Sequence, residues 1–203
     1  MSYDFATLPD LLGPDMDLVF VGINPSLYSV ERGHYFARRT SRFWPAFSRS
    51  RLSAPVREAL RLDVLGPEND SDLLPFGIGF TDVVKVPTSN ASQIAPALYA
   101  EWAPRLVERL RDAAPRVVVF HGVTGYRPFL RLALGIDRKS VELGPQPEIL
   151  GATHLYVVPN PSPANAHFTP EDQTTWYDRV ADFLAALPPR SAVRISADDA
   201  AHA

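Results

Sequence analysis

Cysteine is absent from this chain, which removes disulfides, iron–sulfur clusters and cysteine-rich zinc centres in one step. Lysine is nearly absent: of 20 basic residues only Lys85 and Lys139 are lysines, and the rest are arginines. No apolar run reaches the roughly 18–20 residues that a membrane helix needs, so no membrane contact is expected. Met1 to Asp10 holds neither a basic stretch nor an apolar one, and no secretory leader is expected there. Several chemical fingerprints are missing as well. There is no G-x-G-x-x-G, no G-x-x-x-x-G-K-[ST] and no G-x-S-x-G, so dinucleotide, P-loop and nucleophile-elbow readings have no anchor. The histidines (His34, His121, His154, His167 and His202) follow no metal-ligand spacing. No metal and no cofactor are expected, and the reading is of a soluble, cytoplasmic protein.

What is present suffices for a core. The 203 residues are 46% hydrophobic with a formal net charge of −3, which fits one globular domain over residues 1–189. From Arg190 to Ala203 the chain is small, polar and aperiodic, and it is read as a flexible tail. The charge is unevenly spread. Arg32, Arg38, Arg39, Arg42, Arg49 and Arg51 crowd one stretch whose single acid is Glu31, a local charge of about +5. Arginine forks suit phosphate oxygens. Arginine as this chain's ordinary surface cation explains the same count.

Four short runs read as buried parallel strands: Asp17–Gly22, the weaker Ile78–Val84, Arg116–His121 and Thr153–Val158. Continuous β-branched stretches, rather than alternation, mark strands covered on both faces. Helical spacing fills the gaps at Ala103–Ala114, with Pro104 in its first turn, and at Thr124–Leu134. A last helix opens at Thr169-Pro-Glu-Asp, a hydroxyl cap followed by proline and acids, and turns Trp176, Val180, Phe183 and Leu184 inward. The expected fold is α/β, a three-layer αβα sandwich around a short, mainly parallel four-stranded sheet. Ligands bind such sheets at the carboxyl ends of the strands. There the sequence places four polar loops: Gly22–Ser26, Pro87–Asn90, His121-Gly122 and Pro159–Ser162.

Gly22-Ile-Asn-Pro-Ser26 follows the first strand, Gly33-His-Tyr-Phe-Ala37 and Arg42-Phe-Trp44 lie downstream, and Asn160-Pro-Ser162 follows the last strand. An Asn-Pro pair alone is an ordinary turn, and Phe36 alone is an ordinary core residue. Together, in this order and with Gly79-Phe-Thr-Asp82 between them, the motifs resemble the mismatch-specific uracil-DNA and thymine-DNA glycosylases of the uracil-DNA glycosylase superfamily. The resemblance runs from about Asp17 to Leu187. The aspartate–proline–tyrosine motif of the main uracil-DNA glycosylases is absent, as are the cysteines of the iron–sulfur families. Asn24 separates the chain from the hypoxanthine-type branch.

The resemblance implies a monofunctional glycosylase of base excision repair. Its substrate would be DNA carrying a damaged or mismatched base, double-stranded or also single-stranded, and it would act as a monomer. In a bacterium it would be nucleoid-associated. A base cannot be cut from its sugar inside the stack, so it is flipped into a pocket. Bond cleavage then builds positive charge on the sugar and negative charge on the base, which calls for a placed water and donors around the base. By the resemblance Asn24 holds that water and Phe36 stacks on the flipped base. Backbone N–H groups near Ile23 and Phe36 read its edge, while Ser29 and Tyr35 set the pocket's width. Phe43 and Trp44 are read as core. Asn160, Ser162, Pro163, Ala164, Asn165 and His167 form the loop facing DNA, with Arg38, Arg39 and Arg42 on phosphates.

Two departures stand out. Asp82 occupies a position where related bacterial enzymes carry lysine and vertebrate thymine enzymes asparagine. A carboxylate there polarises the water or steadies the sugar cation, or else only caps a turn or pairs with Lys85 or an arginine. Pro163-Ala-Asn-Ala166 stands where the family's wedge often carries leucine or arginine, and alanine fills the gap of a flipped base poorly. Two other readings stay open: a module on the same fold that binds lesions or bases without cutting, and a small-molecule α/β hydrolase, which has no use for the arginine-rich stretch.

Overall fold

A computed structural model describes residues 4–190. Its sheet is built from β1 (Leu18–Gly22), β2 (Ile78–Asp82), β3 (Val117–His121), β4 (Gly144–Leu150) and β5 (Thr153–Val158), in the order β2-β1-β3-β5-β4. The first four positions pair in parallel, and β4 closes the edge antiparallel to β5. The sheet therefore has five strands rather than the expected four. The extra one was hidden by Pro145 and Pro147. Proline cannot donate to a ladder, but an edge strand tolerates it, and the β4–β5 register shifts between Pro145 and Ile149.

Two apolar layers sandwich the sheet because each strand feeds both faces in turn. Leu18 and Phe20, Val117 and Val119, and Tyr156 and Val158 face one layer; Val19 and Val21, Val118 and Phe120, and Leu155 and Val157 face the other. The first layer is closed by α2 (Phe43–Arg49), α3 (Ala54–Leu60) and α6 (Pro170–Ala186). The second is closed by α4 (Pro96–Ala113) and α5 (Val123–Ala133). Between β1 and α2 lies the short α1 (Leu27–Arg32), capped by Ser26 and ended by Gly33 at φ +75°. Among the described residues, no helix is long and apolar enough to cross a membrane.

Two helix readings need adjustment. The helix expected from Ala103 starts seven residues earlier, with Pro96 in its first turn, so Pro104 sits in its interior. Ala100, whose carbonyl loses a bond to that proline, is exposed, and its carbonyl has water within reach. At α6 the Thr169 hydroxyl accepts from the Asp172 N–H, and the Asp172 carboxylate accepts from the Thr169 N–H. Val180 is fully buried as expected, Trp176, Phe183 and Leu184 are half-buried against the core, and Tyr177 is a further fully buried residue. Of the tail expected from Arg190 onward, residues 191–203 lie outside the described residues. Arg190 itself is anchored, donating to the Asp15 carboxylate and to the carbonyls of Met16 and Ala114.

Chain connections leave β1 toward β2 and leave β3 toward β5, so the strand order reverses between β1 and β3. That is where doubly wound sheets open a crevice at their carboxyl edge.

Candidate active site

A cavity of about 350 Å³ occupies this crevice. It is walled by the ends of β1, β2 and β3, by the loop after β5 and by the turn that precedes α2. Gly22, Ile23, Asn24, Ser29, Tyr35, Phe36, Arg38, Asp82, Thr88, His121, Asn160, Ser162, Pro163 and Ala164 line it. All four polar loops seen in the sequence contribute. Arg39, Arg42, Asn165 and His167 do not.

Asn24 is clamped by its amino group. Nδ2 donates to the Val86 carbonyl and to the Thr88 hydroxyl, each at 2.9 Å. Both amide protons are thereby satisfied, which fixes the amide's orientation and leaves the carbonyl oxygen as the acceptor for a guest in the cavity. Pro25 stiffens the chain at the next residue.

Asp82 ends β2 and is almost wholly buried. A Cβ on Gly22 would lie 2.4 Å from Asp82 Oδ1, so only glycine at that β1 position lets the carboxyl lie against the strand. Asp82 Oδ2 makes no hydrogen bond. The Lys85 ammonium is 3.8 Å from it, yet sits closer to Asp10 Oδ1, at 3.0 Å, and to the Tyr35 hydroxyl, at 3.1 Å. Arg109 donates to the Asp82 backbone carbonyl rather than to its carboxylate, and also to Asp10 and Thr81. Burial pushes the Asp82 carboxyl from the usual 3.8 up to about 6; Asp10 adds to the rise, while Lys85 and Arg109 oppose it. Asp82 thus shares Lys85 with Asp10 and keeps one carboxylate oxygen without a hydrogen bond.

Phe36 adopts a positive φ of +54°, an uncommon conformation for a residue with a side chain. Its ring stacks on Phe43 with centroids 4.3 Å apart. Phe43 and Trp44 are core, and the Trp44 indole N–H donates to the Tyr35 carbonyl. Phe36 is half-buried at the cavity edge, as a stacking platform needs to be. Phe36→Ala should abolish productive base stacking while costing less stability than the about 3–5 kcal/mol of a fully buried phenylalanine. An excision rate matching wild type, measured beside a thermal melt, would remove Phe36 from the site.

His121 belongs to one of the four polar loops expected at the carboxyl edge of the sheet, with no chemical role expected of it. It ends β3, lines the cavity and is caged by Phe20, Phe36 and Phe43 at 5.1–5.5 Å. Its Nε2 lies 3.0 Å from the Tyr177 hydroxyl. Burial drives its pKa down to about 3, against the lone opposing effect of the Val21 carbonyl, so the ring is neutral at working pH. It offers the cavity a polarisable neutral wall rather than a cation.

The remaining candidates hold the site together. Tyr35 donates to the Pro9 carbonyl, and Ser29 closes the Ser26 cap through its N–H and hydroxyl. Asn160 Oδ1 accepts from the Ser162 N–H, and Asn165 Nδ2 donates to the Asn160 carbonyl, which stiffens the loop after β5. The Arg42 guanidinium donates to the Asn165 and Phe168 carbonyls, so it braces that loop instead of standing free. Arg51 is likewise engaged, with Asp178 and Asp182 of α6. Arg38 and Arg39 are exposed. No group of three metal-ligating side chains occurs among the described residues.

A clamped amide, a buried carboxylate of raised pKa and a half-buried aromatic ring thus share one small cavity. The uracil DNA glycosylase superfamily model matches residues 9–184, and the chain belongs to that superfamily. Membership makes it a DNA glycosylase, a hydrolase of base excision repair that acts on DNA. Its fold is also that of the solution NMR structure of a candidate uracil DNA glycosylase from Methanosarcina acetivorans, at 21% identity and a TM-score of 0.52, covering 88% of this chain and 97% of that one.

Proposed function

We propose that this chain is a monofunctional DNA glycosylase that flips uracil and related damaged or mismatched bases into the cavity and hydrolyses them from DNA by water attack at C1′. The observation that carries the proposal is the juxtaposition of Asn24 and Asp82 in one cavity, the first with its oxygen left to accept, the second buried and only weakly paired. Asn24 accepts a hydrogen bond from the water and orients it. The water oxygen bonds C1′ as the N-glycosidic bond breaks, and that bond's electron pair leaves with the base. Asp82 takes the water's proton; its pKa near 6 leaves it mostly ionised at pH 7 yet basic enough to accept. Phe36 stacks on the base, with the Ile23 backbone and Ser29 at its edge. The enzyme works as a monomer on double-stranded DNA, and on single strands in which the base is already unstacked.

Lys85 is fully buried with its ammonium held by Asp10 and Tyr35, and it is not among the residues lining the cavity. That favours water over an amine as nucleophile. Oligonucleotides bearing uracil, thymine mismatches and other lesions, incubated with the protein and then split into alkali-treated and untreated halves, test the whole reading. Breakage only after alkali is expected, because hydrolysis leaves an intact abasic strand. Breakage without alkali would mean lyase chemistry. No breakage with retained lesion binding would favour the non-catalytic binding module.

A further inference from the structure

A second cleft, about 600 Å³, runs beside the base cavity between the Phe36–Ser41 turn, α2, Arg57 of α3 and the loop from Asp63 to Pro67. Phe36, Arg38 and Ser41 wall both cavities, so the two are contiguous across that turn. Four guanidiniums line the cleft, those of Arg38, Arg39, Arg49 and Arg57, against a single carboxylate, Asp63. Among the described residues no side chain pairs with Arg38 or Arg39, and Arg49 meets only the exposed Glu171, at 4.0 Å. Arg57 Nε donates to Ser53 Oγ at 3.2 Å and its Nη1 to the Asp63 carbonyl at 3.5 Å, which holds the guanidinium at the cleft wall. Pro45, Val64 and Pro67 supply an apolar strip, with Val64 68% exposed.

We propose that this cleft holds the phosphodiester backbone of the DNA strand running on from the flipped nucleotide, with Arg38, Arg39, Arg49 and Arg57 as its phosphate contacts. The inference rests on the preceding reading that the substrate is DNA. Charge selects a polyanion, and forked donors suit phosphate oxygens. Continuity selects DNA over an acidic protein partner: a strand with one nucleotide in the base cavity enters the cleft as it passes over the Phe36–Ser41 turn. The apolar strip suits deoxyribose faces between phosphates. The arginines of the basic stretch thus divide by role. Arg42 and Arg51 brace the protein and Arg32 lies over the Tyr28 ring, while Arg38, Arg39 and Arg49 face the cleft. Arg57 joins them from outside the stretch, held at the cleft wall by Ser53 and the Asp63 carbonyl.

The test is fluorescence anisotropy of the full chain with uracil-bearing duplexes whose flanks are shortened on one side at a time. Removing about three phosphates on the cleft side should weaken wild-type binding about tenfold, and shortening the other flank should produce no such step. In Arg49→Gln/Arg57→Gln, which leaves Arg38 and Arg39 in place, the step should shrink to about threefold, and the salt slope should fall by about 1.4–1.8, since each phosphate contact contributes about 0.7–0.9. A charge-matched control, Arg127→Gln/Arg131→Gln on α5, should keep the step. If the Arg57 change impairs folding, Arg49→Gln alone, at an exposed position, should show about half the change in slope. Equal steps in wild type and the double variant, with excision intact, overturn the cleft assignment and leave the glycosylase reading standing. A one-sided step without excision does the reverse.

Discussion

Asp82→Asn is expected to slow base excision by about 100- to 10,000-fold while making the folded protein more stable at neutral pH. The substitution is nearly isosteric, so the cavity keeps its shape, but an amide accepts no proton from the attacking water. The stability gain follows from the direction of the pKa shift. The folded-state value of about 6 lies above the ordinary 3.8, so burial disfavours the ionised form. The group's favourable contribution is complete below the unfolded value and is lost as pH rises through about 6. A permanently neutral asparagine escapes that loss, worth on the order of 3 kcal/mol above pH 6. A thermal melt at pH 7 and a single-turnover excision assay together check the paired outcome. Lower stability combined with a normal rate would return Asp82 to a structural role.

Asn24→Ala should cost about 100-fold or more, the scale of losing one well-placed polar contact to the reacting group. It should nevertheless retain measurable turnover, because Asp82 can still deprotonate a less well-oriented water. The amide clamp makes a finer version possible. Thr88→Val removes one of the two acceptors that fix Nδ2, frees the amide to rotate and should slow excision about tenfold with little loss of stability. Single-turnover rates at saturating enzyme separate this orientation defect from weakened DNA binding. A wild-type rate for Thr88→Val would show that the clamp is irrelevant, and an Asn24→Ala rate equal to wild type would remove Asn24 from catalysis.

The four parallel strands were legible because continuous β-branched runs have few alternatives, and their ends pointed to the loops that now line the cavity. The edge strand β4 was not, because Pro145 and Pro147 read as breakers unless the strand is known to lie at an edge. Pro104 misled in the opposite sense, marking a helix start where it occupies a helix interior. Within the site, Asn24, Phe36 and Asp82 stood out by motif. Lys85 was named as a partner for Asp82, but Asp10 and Arg109, which share its environment, did not stand out, since Asp10 meets partners 71, 75 and 99 residues away in sequence. The place of His121 at a strand end was legible, but only the packing of Phe20, Phe36 and Phe43 shows that it is buried and neutral. Counting arginines located a basic stretch but could not tell that Arg51 answers Asp182 on α6, or that Arg42 answers backbone carbonyls. Charge is local in sequence, whereas its neutralisation is not.

The rate of uracil excision as a function of pH, measured under single-turnover conditions for wild type and Asp82→Asn side by side, addresses the mechanism most directly. Wild type should show an acid limb with a midpoint near 6, where the Asp82 carboxylate becomes protonated and can no longer accept a proton. Asp82→Asn should be slow at every pH and lack that limb. A wild-type profile that stays flat through pH 6, or the same limb in both proteins, would contradict the assignment of Asp82 as the base.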